Sequence, residues 1–418
     1  MKNVIGLLAF SVVLGTFAES AVSLVLVNQR WPWNEKVDVD FVLSGETSDV
    51  EVTATWDAHP APCRLGTLFD CAPGQRRFTW DPANSPFAGQ TLTGFAVAVS
   101  NASAAAHNYI VVNLANGGYE FLPDVPAGGW TAEHKSSKMV FRRIPAGTYT
   151  LGEEKGTFEH LGQSSPDYYA DIQNRRQVTF TSDFYVGIYK YTKAQHACLT
   201  TGTAGTDFQP QGELSYDDLR GAKNADATLN VDWPLTAYKV APESIVAKLR
   251  AKAGAGLVVD LCQEDQWEVA ARAGTTTFWP TGGTTNEIFA THTNQVNGFV
   301  AWYGSTGSTS QSAVGTKPDN GWGLYDVIGL AGEWTLDATA GTTTIPARYR
   351  LPDVYTDPVG GSGCARRVLR SASGNGAATG LNELLPCRRQ IADPSWSSYS
   401  TRFCIHLKPL GSLTFEGE

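Results

Sequence analysis

Asp326 and Glu333 are the carboxylates whose spacing most suggests chemistry. They stand seven residues apart in GLYDVIGLAGEW and bracket Gly329 and Ala331, in a segment too rich in glycine for a helix. A hard cation such as calcium takes several oxygen ligands at roughly 2.4 Å, mixing carboxylates with backbone carbonyls. The other use for the two acids is to cap loops or to pair with arginines such as Arg348, Arg350 and Arg370. Nucleophilic chemistry is not legible. The seven histidines, at 59, 107, 134, 160, 196, 292 and 406, show no metal-ligand spacing. No Ser-His-Asp or Cys-His set emerges, and Ser371 and Ser373 read as loop hydrogen-bonders. Recognition is better served: Asn375, Asn382, Arg388, Arg389, Trp396 and Tyr399 crowd the stretch from Ser371 to Tyr399. These are the polar and aromatic types of adaptable binding surfaces.

Seven cysteines fit an oxidising compartment without defining a disulfide-dense scaffold. Cys63 and Cys71 enclose the short segment CRLGTLFDC and make the simplest pair to expect. An odd count leaves a thiol over, and Cys198, inside the helix-like TKAQHACL, is the expected one.

Several kinds of element must position these groups. Residues 21–115 read as a small β-sandwich of immunoglobulin-like size, with Val37, Val39, Phe41 and Leu43 alternating against Asp38 and Asp40. Trp31–Asn34 (WPWN) reads as a strand-end plug on it, the other reading being an exposed aromatic platform for a sugar. Residues 116–139 have the Gly/Pro density of a linker. Residues 140–410 then form a loop-rich α+β region with helices expected at Thr192–Leu199, Ala241–Ala253 and Glu264–Arg272. In the last of these, Trp267, Ala270 and Ala271 share one face, and Gly274 is placed to cap the end. So much irregular chain needs something besides regular ladders to satisfy its backbone.

Composition narrows the function classes. The 418 residues carry a net charge of −9, with only 17% charged and 12 Trp, which excludes disordered and coiled-coil chains. A net acidic chain with no Lys/Arg run also argues against nucleic-acid binding. Residues 1–20, MKNVIGLLAFSVVLGTFAES, have the form of a secretory signal, a Lys before an apolar run and then small residues. The expected mature protein is therefore secreted, periplasmic or on the cell surface, with no membrane span.

Four segments recur in a fixed order: IPAGTYTLG with VTFTSDFYVGIYKYTKAQ; LCQEDQWEVAARAGTTT; VGTKPDNGWGLYDVIGLAGEWTLD; and VLRSASGN followed by CRRQIADPSWSSYSTRFCI. This order resembles the formylglycine-generating-enzyme, or sulfatase-modifying-factor, family over residues of about 140–407. The resemblance implies a C-type-lectin-like fold and a structural calcium site, with side chains at Asp326 and Glu333 and backbone oxygens at Gly329 and Ala331. It also implies where the chemistry of active members would lie. They oxidise a sulfatase cysteine with copper(I) held by a Cys-x4-Cys pair just before an Arg…Pro…Gly-Phe-Arg ending. In this chain Arg389, Pro394 and Phe403 keep that frame. Cys387 falls about one place past the second thiolate, and Asn382, five earlier, is no thiol. One thiol cannot make a dithiolate copper site, so copper is not expected, and Cys387 is the one catalytic candidate. A disulfide from Cys387 to Cys364 or Cys404 is the plainer use for it. Two further departures stand out, Asp260-Leu261-Cys262 for the usual Arg-Leu-Pro and Arg402-Phe403-Cys404 for Gly-Phe-Arg. The expected function is a non-catalytic scaffold, stabilised by calcium, that binds a protein, peptide or glycan at its C-terminal loop surface. The alternative is an oxidase acting on sulfatase cysteines.

Overall fold

The computed structural model describes residues 20–30, 36–57, 59–80, 91–102, 107–153, 175–222, 233, 238–254, 257–277, 312–339, 354–360, 365–371, 386–387 and 389–406. The signal-like segment and Trp31–Asn34 lie outside them. No helix among the described residues is long and apolar enough to cross a membrane. The chain divides into two compact units, Met1–Ser103 and Ala104–Glu418.

The first unit holds β1 (Ala21–Gln29), β2 (Val37–Ser44), β3 (Ser48–Trp56), β4 (His59–Cys71), β5 (Gly74–Trp80) and β6 (Ala96–Ala102). They pair antiparallel as two three-stranded sheets, β1-β2-β5 and β4-β3-β6. The alternation read in β2 buries Val39, Phe41 and Leu43 with Val50, Val52 and Phe78, the shared core of a sandwich. On the other face Asp38 accepts from Arg30 at 2.8 Å and from Thr79 at 2.7 Å. The expected Cys63–Cys71 pair does not form. CRLGTLFDC is continuous strand, not a loop, and Cys63 and Cys71 pair with Ala54 and Ser48 on β3, so their α-carbons stand about 20 Å apart along β4. Cys71 is a free, buried thiol.

The second unit is built on a six-stranded antiparallel sheet ordered β13-β18-β12-β9-β7-β8. Its strands are β7 (Tyr109–Asn113), β8 (Tyr119–Leu122), β9 (Lys138–Ile144), β12 (Phe184–Gly187), β13 (Val258–Leu261) and β18 (Phe403–His406). The first two correct the domain boundaries expected from sequence. NYIVVNL closes no sandwich: Ile110, Val111 and Val112 are all buried, as a strand covered on both faces requires. Nor is 116–139 a linker. Gly117 and Gly118, at φ of 76° and 83°, turn the chain from β7 into β8, and a short 3-10 helix, Ala132–Lys135, leads into β9. Two small sheets complete the unit. In one, β10 (Gly147–Leu151) and β15 (Val354–Thr356) flank β11 (Arg176–Phe180); in the other, β14 (Glu333–Thr339) and β17 (Gln390–Ala392) flank β16 (Arg366–Arg370).

Four helices lie among the described residues: α1 (Lys193–Thr201), α2 (Tyr216–Arg220), α3 (Ile245–Ala253) and α4 (Glu264–Arg272). Thr192 caps α1 through the N–H of Gln195, whose side chain caps back. Cys198 on this helix is free and buried, as expected. The span of α4 is the one its sequence suggests, though Ala273, left-handed at φ 49°, ends it before Gly274. All nine of its residues are buried, so its polar faces look into protein as fully as its Trp face.

The departures at Cys262 and Cys404 explain each other. Their sulfurs form a disulfide between the residue that follows β13 and the neighbouring strand β18. Cys404 is therefore not available to Cys387, which is a free thiol. Asp260, in the same departure, ion-pairs with Arg220 and Arg250, both at 2.8 Å.

Candidate functional site

The surroundings of Cys387 follow from the burial of α4. A helix carrying Glu264, Asp265 and Glu268 can be buried only if cations meet those acids. Arg389 and Arg370 meet Glu264 at 3.0 and 3.3 Å, Arg176 pairs with Asp265, and Arg272 and Arg370 meet Glu268 at 2.9 and 3.3 Å. Glu153 joins through Arg272 at 3.0 Å. Burial alone would raise the Glu268 carboxyl; Arg272, Arg370 and Arg176 outweigh it and hold the group below its usual range. Cys387 is wholly buried beside this network. Burial, with Glu153 and Glu268 nearby, pushes its thiol far above the ordinary range, so the sulfur is protonated at neutral pH. Arg389, expected on a ligand surface, is 4% exposed and spends its guanidinium on Glu264. Repeated charges on a helix with an apolar stripe were the available signal for this network, but a sequence does not say that both faces are covered.

The Asp326–Glu333 loop is held in a strained shape, with Asp326, Gly329 and Leu330 all left-handed at φ of 54°, 79° and 66°. Asp326 is buried; its Oδ2 accepts the Gly315 N–H at 2.7 Å, and burial raises its carboxyl. Gly329 O accepts the Ser371 hydroxyl at 3.2 Å. Glu333 is enclosed by N–H donors. Arg402 Nε and Trp267 Nε1 reach its Oε2 at 2.8 Å each, while Lys190 Nζ and, at 3.1 Å, Arg402 reach its Oε1. Lys190 Nζ also donates to Ala331 O at 3.0 Å. Arg402 and Lys190 outweigh the effect of burial and keep Glu333 ionised. As arranged, these donors do not fit calcium, because an ammonium and a guanidinium hold the oxygens a divalent ion would need. Neither Lys190 nor Arg402 was among the partners expected for these acids. Lys190 stands alone in the apolar run YVGIYKYT, which was the available signal.

A cleft of about 380 Å³ opens on the same unit, walled by Tyr109, Trp130, Trp322 and Tyr325, with Arg142 and Asp319 at its polar positions. One side chain builds much of it. Asn320 donates to the carbonyls of Ala270 and Ala271 at the end of α4, at 2.8 and 3.2 Å, and accepts from the N–H groups of Trp322 and Leu324, both at 3.1 Å. This pins the turn DNGWG and holds Trp322 at the cleft. Trp130 packs edge-on against Tyr109 at 5.1 Å, Arg142 lies 4.9 Å over the Tyr109 ring, and Tyr325 stacks on Tyr189 at 4.9 Å. None of these residues was expected at a site. The Asn-Gly dipeptide inside the third family segment was the cue; its Trp and Tyr meet Tyr109 and Trp130 only through the fold.

The three described members of the C-terminal recognition set, Arg389, Trp396 and Tyr399, have different surroundings. Asn375, Asn382 and Arg388 lie outside the described residues. Trp396 is exposed, with the Arg366 guanidinium 5.8 Å from its ring centre. Tyr399 turns inward and packs edge-on against Trp334 at 5.3 Å.

Fold and site together define a loop-rich α+β domain of the C-type-lectin-like kind, preceded by a small all-β unit. The model of the sulfatase-modifying factor enzyme 1-like domain matches residues 130–394, more than half of the chain. The chain belongs to that family. Among solved structures, PvdO from Pseudomonas aeruginosa is similar at 18% identity and a TM-score of 0.45, over 66% of this chain and 97% of that one. No curated protein matches the sequence.

Proposed function

We propose that this chain is an exported, non-catalytic binding module whose ligand seat is the cleft of Tyr109, Trp130, Trp322 and Tyr325. The observation that carries this reading is a contrast in exposure. Half-buried Trp130, Trp322 and Tyr325, with Arg142 and Asp319, line an open cleft whose wall includes the buried Tyr109, whereas Cys387 is sealed beside a buried charge network. Concave sites lined by aromatic rings with a few convergent polar groups are the usual form of small-ligand seats. Ring faces of this kind cover the C–H face of a sugar, and a guanidinium and a carboxylate serve its hydroxyls, so a glycan is the ligand proposed. Export is supported by the signal-like first 20 residues and by the Cys262–Cys404 disulfide, a bond that persists in oxidising compartments.

Oligosaccharide-array binding by the full chain tests the cleft. Binding should fall at least tenfold in Trp322→Ala and in Arg142→Ala, while Trp396→Ala leaves it unchanged. Retention only of peptides would redirect the reading to a peptide seat. Copper(I) titration tests the oxidase reading, which the position of Cys387 relative to Arg389 and Pro394 keeps in view. Tight binding that disappears in Cys387→Ser would restore the enzyme and sink the binding module.

A further inference from the structure

Nearly every oxygen that a divalent ion would need in the Asp326–Glu333 loop already has a partner. The two oxygens of Glu333 receive four N–H groups, from Lys190, Trp267 and twice from Arg402. That is about the full lone-pair capacity of a carboxylate. Gly329 O is used by the Ser371 hydroxyl and by the Ala331 N–H at 2.9 Å, and Ala331 O by Lys190. Among these oxygens, Oδ1 of Asp326 is the one with no partner in the described structure.

At the centre is the Lys190 ammonium, wholly buried and bound at once to a backbone carbonyl and a carboxylate. That donor pair is what a hard cation selects, and an ammonium is a compact point charge with three donors. Its backbone is fixed on both sides, by Ile188 N–H to Val140 O at 3.0 Å and Tyr191 N–H to Thr401 O at 2.8 Å. Lys190 is thus delivered to the loop by the six-stranded sheet. Two carboxylates face Lys190 and Arg402, and Lys135 also acts on Asp326, so the cluster carries no surplus negative charge for a metal to neutralise. A divalent ion could enter only by driving an ammonium into protein interior.

We propose that the Lys190 ammonium is the resident cation of this loop, filling the place a divalent ion would take, so that the domain keeps its shape without calcium. The full chain should melt at the same temperature in EDTA and in millimolar calcium. Terbium, which emits when excited through a nearby indole such as Trp267, should show no signal that Asp326→Asn removes. Lys190→Ala vacates the position. This variant should melt lower in EDTA, recover several degrees with calcium, and gain a terbium signal that Asp326→Asn abolishes. A wild-type chain that loses several degrees on chelation, or binds terbium through Asp326, overturns the proposal. So does a folded Lys190→Ala chain indifferent to calcium. If that variant does not fold, the wild-type chelation and terbium measurements decide alone.

Discussion

His406 shows how a single buried side chain sets a pH response. Its Nε2 lies 2.9 Å from Leu261 O and acts as donor, and its ring packs on Tyr238 at 4.8 Å. Burial pulls its pKa from 6.5 down to about 4, with Asp260 opposing. The folded pKa is the lower one, so below pH 6.5 the unfolded chain takes up a proton that the folded chain refuses until about pH 4. The corresponding stability is present in full above pH 6.5 and is lost as the pH falls toward 4, about 3 kcal/mol in all. Urea midpoints measured between about pH 7 and pH 4.5 should therefore decline more steeply for wild type than for His406→Gln, which keeps a donor for Leu261 but does not titrate. Parallel declines would show that His406 is not buried in its neutral form. Cys387 makes a related point: burial, with Glu153 and Glu268 nearby, rather than its place in a motif frame, sets its protonation.

At the scale of elements, β13 is an edge strand held from two directions. The disulfide ties it to β18, and Asp260 anchors it to Arg220 on α2 and Arg250 on α3. Cys262 and Cys404 are separated by 142 residues, a long loop to close in the unfolded chain. The Cys262→Ser/Cys404→Ser variant should lose roughly 2–4 kcal/mol and remain folded, because the Asp260 anchor persists. Calorimetry with and without reductant checks this. Wild-type melting unaffected by reductant would mean that the bond does not form. The pairing was missed because partners so far apart in sequence are joined by strand order, which local spacing does not contain; Cys63 and Cys71, near in sequence, lie far apart on one strand.

For the whole molecule, the boundary between units has a direct consequence. Because β7 and β8 complete the six-stranded sheet, a chain beginning at Ala104 should melt cooperatively by itself. A chain beginning at Asp124 loses both strands, exposes the edge of β9, and should be aggregated or molten. Circular dichroism and heteronuclear NMR separate the outcomes. Cooperative melting of the shorter chain would return residues 107–115 to the first unit and 116–123 to a linker. Their misreading has a physical source. NYIVVNL is a continuous apolar run, the mark of a strand covered on both faces, but the Gly/Pro density that follows serves a hairpin and a 3-10 turn as readily as a linker.

The sequence alone determined the family, the α+β class, the span of α4 and the alternation that packs β2, because each rests on neighbours along the chain or on the order of its segments. The tertiary structure decided which charges meet: Lys190 with Glu333, Arg389 with Glu264, Asp260 with Arg220. It also assembled the cleft from Tyr109, Trp130 and Trp322, residues drawn from distant segments. A buried acid must find a cation somewhere, but the cation it finds depends on which strands lie side by side.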